Sequence, residues 1–120
     1  MLLKSWRMQV VAGREQTHKD FAENVYLPLL RSQEGCLGAY FSLSQQDCLA
    51  LSIWHDQAVI NALEQNPAYQ ELVQQWLNQG VVADSQSTEI WQVYSGYQLP
   101  GLPLKLAELS QQALLVKELN

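Results

Sequence analysis

Residues 52–76, SIWHDQAVINALEQNPAYQELVQQW, decide the fold. The stretch reads as the end of a buried strand closed by Trp54, followed by a helix start. Asp56 can accept hydrogen bonds from the first free backbone N–H groups of that helix. Asn66-Pro67 then interrupts the helical run and restarts it. Asn66 serves as the second cap, and Pro67 takes the first helical position, where no N–H is needed. Tyr69, Leu72, Val73 and Trp76 form one stripe on the second run. Gly80 is a natural stop.

Outward from this stretch the chain alternates strands and helices. Leu2–Val11 reads as a strand broken by Gly13. Glu15–Arg31 reads as a helix, with His18, Phe21, Ala22, Val25 and Leu29 at helical spacing. Pro28 predicts a kink or an early end. Glu34-Gly35 is a turn, Cys36–Ser44 a strand, Gln45-Gln46-Asp47 a turn, Cys48–Trp54 a strand and Thr88–Tyr94 the last strand. The order βαββαβ is α+β and ferredoxin-like. It predicts an antiparallel sheet of order 4-1-3-2 with both helices on one face. The third strand, CLALSIW, is apolar on both faces, whereas a sheet with one wet face alternates. A second copy of the same sheet is the simplest cover, so a homodimer through the sheet is expected. Residues 1–95 should form this domain. Residues 96–120 should be a linker, GYQLPGLP, and a C-terminal amphipathic helix over 104–119 that docks on its own barrel or on the partner subunit.

Composition narrows the function classes. Charged residues are 16 % of the chain, and glutamine is abundant at 16 copies. The net charge of −5 and seven scattered basic residues argue against nucleic acid, which needs clustered Lys and Arg, and against a polybasic membrane patch. No apolar run approaches the roughly 20 residues that span a bilayer. Lys4 and Arg7 interrupt the N-terminal apolar stretch, so no signal peptide is read and a cytoplasmic location is the default. If Cys48 lies opposite Gln45 across a hairpin, Cys36 is ~30 Å away at about 3.3 Å per residue. That is too far for a disulfide, and both thiols are expected to be free.

Trp54, the Asp56 cap, the Asn66-Pro67 break and the Glu34-Gly35 turn together resemble the antibiotic biosynthesis monooxygenase family of dimeric α+β barrels, over about residues 2–95. The resemblance implies that Trp54 points toward the helices, into a ligand cavity. Strand alternation would put Ala50 and Ser52 beside it, with Gly38, Tyr40 and Ser42 from the second strand and Trp6, Met8 and Val10 from the first. Ile60, Leu63, Tyr69 and Val73 would close the lid. Such a lining suits a flat, neutral or weakly polar molecule. The same residues would equally make a filled core.

Compared with the family's activities, the chain matches in part. The cofactor-free monooxygenases of aromatic polyketide pathways use the strand-end Trp, matched by Trp54. Their Asn, Tyr, Arg and His positions fall on Ala50, Ile60, Gln74 and Ser42. The haem-degrading members place Asn, Trp and His where this chain has Trp6, Leu63 and Val73, and a ligand for haem iron is missing. The phosphosugar isomerase-like members bind an anion, for which no inward Lys or Arg is expected. His55, beside Trp54, is a candidate proton acceptor at the cavity rim or an exposed junction residue. His18 faces the cavity mouth or is a structural residue. There is no metal-ligand spacing and no cofactor motif. Arg7 should face the partner sheet and pair with Glu89. Two functions are therefore expected. One is a cofactor-independent monooxygenase acting on a small aromatic or quinol-like substrate, with Trp54, His55 and Tyr40 as catalytic candidates. The other is a non-catalytic dimer that binds a small hydrophobic ligand.

Overall fold

The computed structural model describes residues 1–97, apart from the side chain of Asp84. The elements run β1 (Leu2–Val10), α1 (Glu15–Phe21), a π-helical turn (Ala22–Tyr26), α2 (Leu27–Arg31), β2 (Cys36–Ser44), β3 (Asp47–Trp54), α3 (Gln57–Glu64), α4 (Pro67–Asn78) and β4 (Val82–Gln92). The antiparallel sheet has the order β2-β3-β1-β4, the ferredoxin-like order that the sequence predicts. The expected linker and helix beyond residue 97 lie outside the described residues. No helix among the described residues is long and apolar enough to cross a membrane.

The caps form as their chemistry requires. The Asp56 carboxylate accepts from the Val59 N–H at 3.0 Å. The Asn66 side chain accepts from the Ala68 N–H at 2.9 Å. Gly35 enters β2 at φ +88°, and a Cβ built there would stand 2.7 Å from a Val59 methyl. The turn thus needs glycine both for its backbone conformation and for room under α3.

Three expectations are corrected. The first helical region runs through to Arg31 without breaking at Pro28. A wide turn absorbs the proline: the Leu27 N–H reaches back to the Ala22 carbonyl, and Pro28 falls in the first turn of α2, where its missing donor costs nothing. The inserted residue also rotates the buried stripe. Tyr26 and Leu30 are buried, at 5 % and 3 % exposure, and Val25 is 40 % exposed. β4 begins at Val82, well before Thr88, because Gln86 and Ser87, and Val82 beyond a register shift, pair with β1 as an edge strand. Its lack of apolar alternation hides it as a strand.

The third correction is the faces of β2. The hairpin turns through Gln45 and Gln46, and Ser44 pairs with Asp47, Leu43 with Cys48 and Phe41 with Ala50. Antiparallel partners share a face, so Ala39, Phe41 and Leu43 lie toward the helices and pack on the core. Tyr40 and Ser42 lie on the outer face. This register still separates the two cysteines, and both are free.

The core gathers on Trp76, which is fully buried. The rings of Phe21, His18, Tyr26, Trp6 and Phe41 surround it, with centroids 4.8 to 5.7 Å away. On the outer face, Leu49, Leu51 and Ile53 of β3 are half-buried in the single chain. Tyr40 and Trp91 stand more exposed beside them, at 37 % and 55 %. Arg7 is exposed, and its register partner on β4 is Ser87, while Glu89 pairs with Ser5. The expected Arg7–Glu89 ion pair is not among those formed by the described residues.

Candidate functional site

A cavity of about 460 Å³ opens between the helix-facing side of the sheet, the π-helical turn and α4. β1 supplies Lys4 and Trp6, β2 Phe41, and β3 Ala50 and Ser52; α4 contributes Tyr69 and Val73, and the first helical region Tyr26 and Leu30. Gln86 and Thr88 of β4 form the side wall. Alternation explains the strand members. Trp6 pairs with Ala50 and Thr88, and Ala50 pairs with Phe41, so one cross-strand row presents all four to the same space.

The polar atoms are few and placed. The Tyr26 and Tyr69 hydroxyls share a hydrogen bond at 2.9 Å. Burial, then the neighbouring Tyr69, pushes the Tyr26 phenol well above its ordinary range, so at neutral pH it is a hydroxyl and not a base. The Trp6 indole N–H donates to the Gln86 side-chain oxygen at 2.9 Å. The Trp54 indole N–H donates to Ser52 Oγ at 2.7 Å. Lys4 Nζ stands 3.7 Å from a Glu64 carboxylate oxygen and 6.0 Å from the Tyr69 ring centre.

Of the residues that the sequence proposes, Trp6, Ala50, Ser52, Tyr69 and Val73 line this cavity. Trp54 does not; it is 1 % exposed and part of the core, and it meets the cavity through its bond to Ser52. Met8, Ile60 and Leu63 are core residues as well. Tyr40 is on the outer sheet face, as is Ser42, whose hydroxyl donates to the Leu49 carbonyl at 2.9 Å. His55 is exposed and has Nδ1 2.9 Å from the Asp56 carboxylate, a partner that lowers the Asp56 pKa. It lies outside the cavity lining. His18 is buried in the core, with Nε2 3.2 Å from Cys48 Sγ. Burial lowers the His18 pKa and raises the Cys48 thiol to about 11, so both are neutral at pH 7.

Sequence reasoning missed Lys4, Tyr26, Phe41, Glu64, Gln86 and Thr88. Lys4 had a readable signal, since it shares strand parity with Trp6. Its inward position corrects the expectation that no Lys or Arg enters the cavity. Phe41 follows from the hairpin register. Tyr26 was hidden by the π-helical turn. Among the described residues no cluster of three or more His, Cys, Asp or Glu could hold a metal ion.

No protein-family model matches the sequence, and no curated protein matches it in sequence. Solved structures do match the fold. A Deinococcus radiodurans protein named as a candidate antibiotic biosynthesis monooxygenase superposes with a TM-score of 0.69 at 12 % identity, covering 84 % of this chain and all of the other. A protein of unknown function from Nitrosomonas europaea gives 0.69 at 16 % identity, over 83 % of this chain and 95 % of that one. SnoaB, a cofactor-independent oxygenase from Streptomyces nogalater, gives 0.64 at 12 % identity, over 82 % and 96 %. The chain therefore has the ferredoxin-like α+β fold of the antibiotic biosynthesis monooxygenases. At these identities the likeness defines the fold.

Proposed function

We propose that this protein is a dimeric, cofactor-independent monooxygenase that oxidises a small aromatic or quinol-like substrate in the cavity beside Trp6. The observation that carries the proposal is the cavity's wall of Trp6, Tyr26, Phe41 and Tyr69, with few placed polar groups. That chemistry recognises a flat ring system by stacking and edge contacts. The likeness to a cofactor-independent oxygenase supports the reaction class. In such a reaction an activated CH₂ beside a phenol loses a proton, and the carbanion reacts with O₂. The balanced change is R₂CH₂ + O₂ to R₂C=O + H₂O, so the co-substrate supplies both the oxidant and the new oxygen atom. The protein's part is to bind, to orient and to exclude water. Dimerisation through the outer sheet face is supported by Leu49, Leu51 and Ile53, apolar where a solvated face would be polar. A cytoplasmic location fits this reading.

A second reading, a non-catalytic dimer that binds a small hydrophobic ligand, is favoured by two observations. Trp54, His55 and Tyr40 do not enter the cavity lining, and the Tyr26 phenol is held protonated. Oxygen uptake with a panel of anthrones and quinols separates the two. The oxygenase reading predicts uptake above the uncatalysed background that Val73→Phe, which narrows the cavity, lowers at subsaturating substrate. Saturable binding without uptake would support the second reading.

A further inference from the structure

We propose that Lys4 is an anion-receiving specificity residue, and that the ligand of this cavity is an aromatic molecule carrying a compact oxyanion such as a carboxylate or phenolate. This rests on the reading of the cavity as an aromatic binding site. The evidence is the state of the Lys4 head group. Its side chain is 12 % exposed, placed by strand parity on the cavity face. An ammonium carries three donors. Its carboxylate partner, Glu64, stands at 3.7 Å, beyond the usual range of a charge-assisted hydrogen bond. Among the described residues no hydrogen bond to Nζ is formed. The group is thus a cation held only by a loose ion pair, on the wall of a cavity of about 460 Å³. It is the one Lys or Arg among the lining residues.

Glu64 is the complementary half of the site. It lies at the end of α3 with its side chain 50 % exposed, so it can move to solvent at little cost. A ligand oxyanion would take its place on Nζ, while the ring system lies between Trp6, Phe41 and Tyr69. In the buried Tyr26–Tyr69 pair one hydroxyl donates to the other, which leaves a single neutral O–H beside the charged donor of Lys4. A neutral aromatic of the same shape would leave the Lys4–Glu64 pair in place and gain stacking alone. Discrimination of about tenfold is expected, the equivalent of 1.4 kcal/mol.

The test is calorimetric titration of the full chain with 2-naphthoate and with its neutral isostere 2-naphthamide. Wild type should bind the naphthoate about tenfold more tightly than the amide. Lys4→Met should erase that preference while still binding the amide, and Lys4→Arg should keep it. Glu64→Gln should tighten naphthoate and leave the amide unchanged, because the competing carboxylate is gone. It is the decisive variant if Lys4→Met does not fold. 1-Naphthol at a pH above its ionisation, against its methyl ether, separates phenolate from carboxylate. A lysine-dependent preference in either pair supports the assignment. Equal binding of charged and neutral probes, untouched by Glu64→Gln, overturns the role of Lys4 and leaves the aromatic cavity standing. No binding of any probe overturns the cavity reading and this inference with it.

Discussion

Replacing Gly35 with alanine perturbs two things at once, and the structure allows them to be separated. Gly35 sits at φ +88°, so a side chain there meets the left-handed penalty of about 1–2 kcal/mol. The new Cβ would also stand 2.7 and 2.9 Å from the two Val59 methyls. Overpacking of that kind costs about 1–3 kcal/mol. Gly35→Ala should therefore cost about 2–5 kcal/mol, a large part of the 5–15 kcal/mol that holds a typical domain. Val59 is half-buried, so Val59→Ala alone should cost no more than about 1.6 kcal/mol for two methyl groups. In the double variant the clash is gone and the backbone strain remains. It should be less destabilised than the sum of the single variants by about 1–3 kcal/mol. Urea unfolding followed by circular dichroism measures all four corners of the cycle, provided that the transitions are two-state and m is unchanged. Additivity within about 0.5 kcal/mol would refute the close approach of the β2 entrance to α3.

Other outcomes follow from burial and charge. Trp54→Ala should cost about 3–5 kcal/mol, because the residue is 1 % exposed. His55→Ala, at a side chain 73 % exposed, should leave the melting temperature almost unchanged. The protein should sediment as a dimer at micromolar concentration, and Leu49→Lys on the outer face should yield a monomer; a stable wild-type monomer would remove the sheet interface. His18 is neutral in the fold, with its pKa lowered below the ordinary 6.5 by burial. The unfolded chain then binds the extra proton first. Stability is complete above about pH 6.5 and declines as pH falls through that value toward the folded pKa. Thermal melts at about pH 7.5 and pH 5 should show a larger acid loss in wild type than in His18→Leu. Equal losses would contradict the buried, neutral imidazole.

Much of the fold is legible because local signals agree with one another. Asp56, Asn66 and Pro67 set two helix starts whose caps the structure forms. The βαββαβ order leads to the sheet order that the structure forms. What stays hidden depends on relations between elements. The π-helical turn at Ala22–Tyr26 shifts a stripe by one residue, which helical periodicity cannot register. Tyr26 is therefore lost and Val25 gained. The face of β2 is set by its pairing with β3, where Ala39, Phe41 and Leu43 oppose Ser52, Ala50 and Cys48, and the alternation of β2 alone leaves open whether Tyr40 and Ser42 or Phe41 face the helices. Lys4 was overlooked for another reason. A charged residue near a chain end reads as solvated, and its burial depends on the walls that Trp6 and Tyr69 build around it. Trp54 is visible as a fold residue, and its distance from the cavity lining appears only when the core is packed.

The cavity can be probed through its own tryptophan. Trp6 lines it, whereas Trp54 and Trp76 are sealed in the core at 1 % and 0 % exposure. Titration with 1,8-dihydroxyanthraquinone, read by intrinsic fluorescence, should give a saturable quench that is smaller in Trp6→Phe. Val73→Phe should weaken the binding by about tenfold, the equivalent of 1.4 kcal/mol of lost contact, with an unchanged melting temperature. An affinity that Val73→Phe leaves intact would show that the molecule binds elsewhere and that this space is only part of the core.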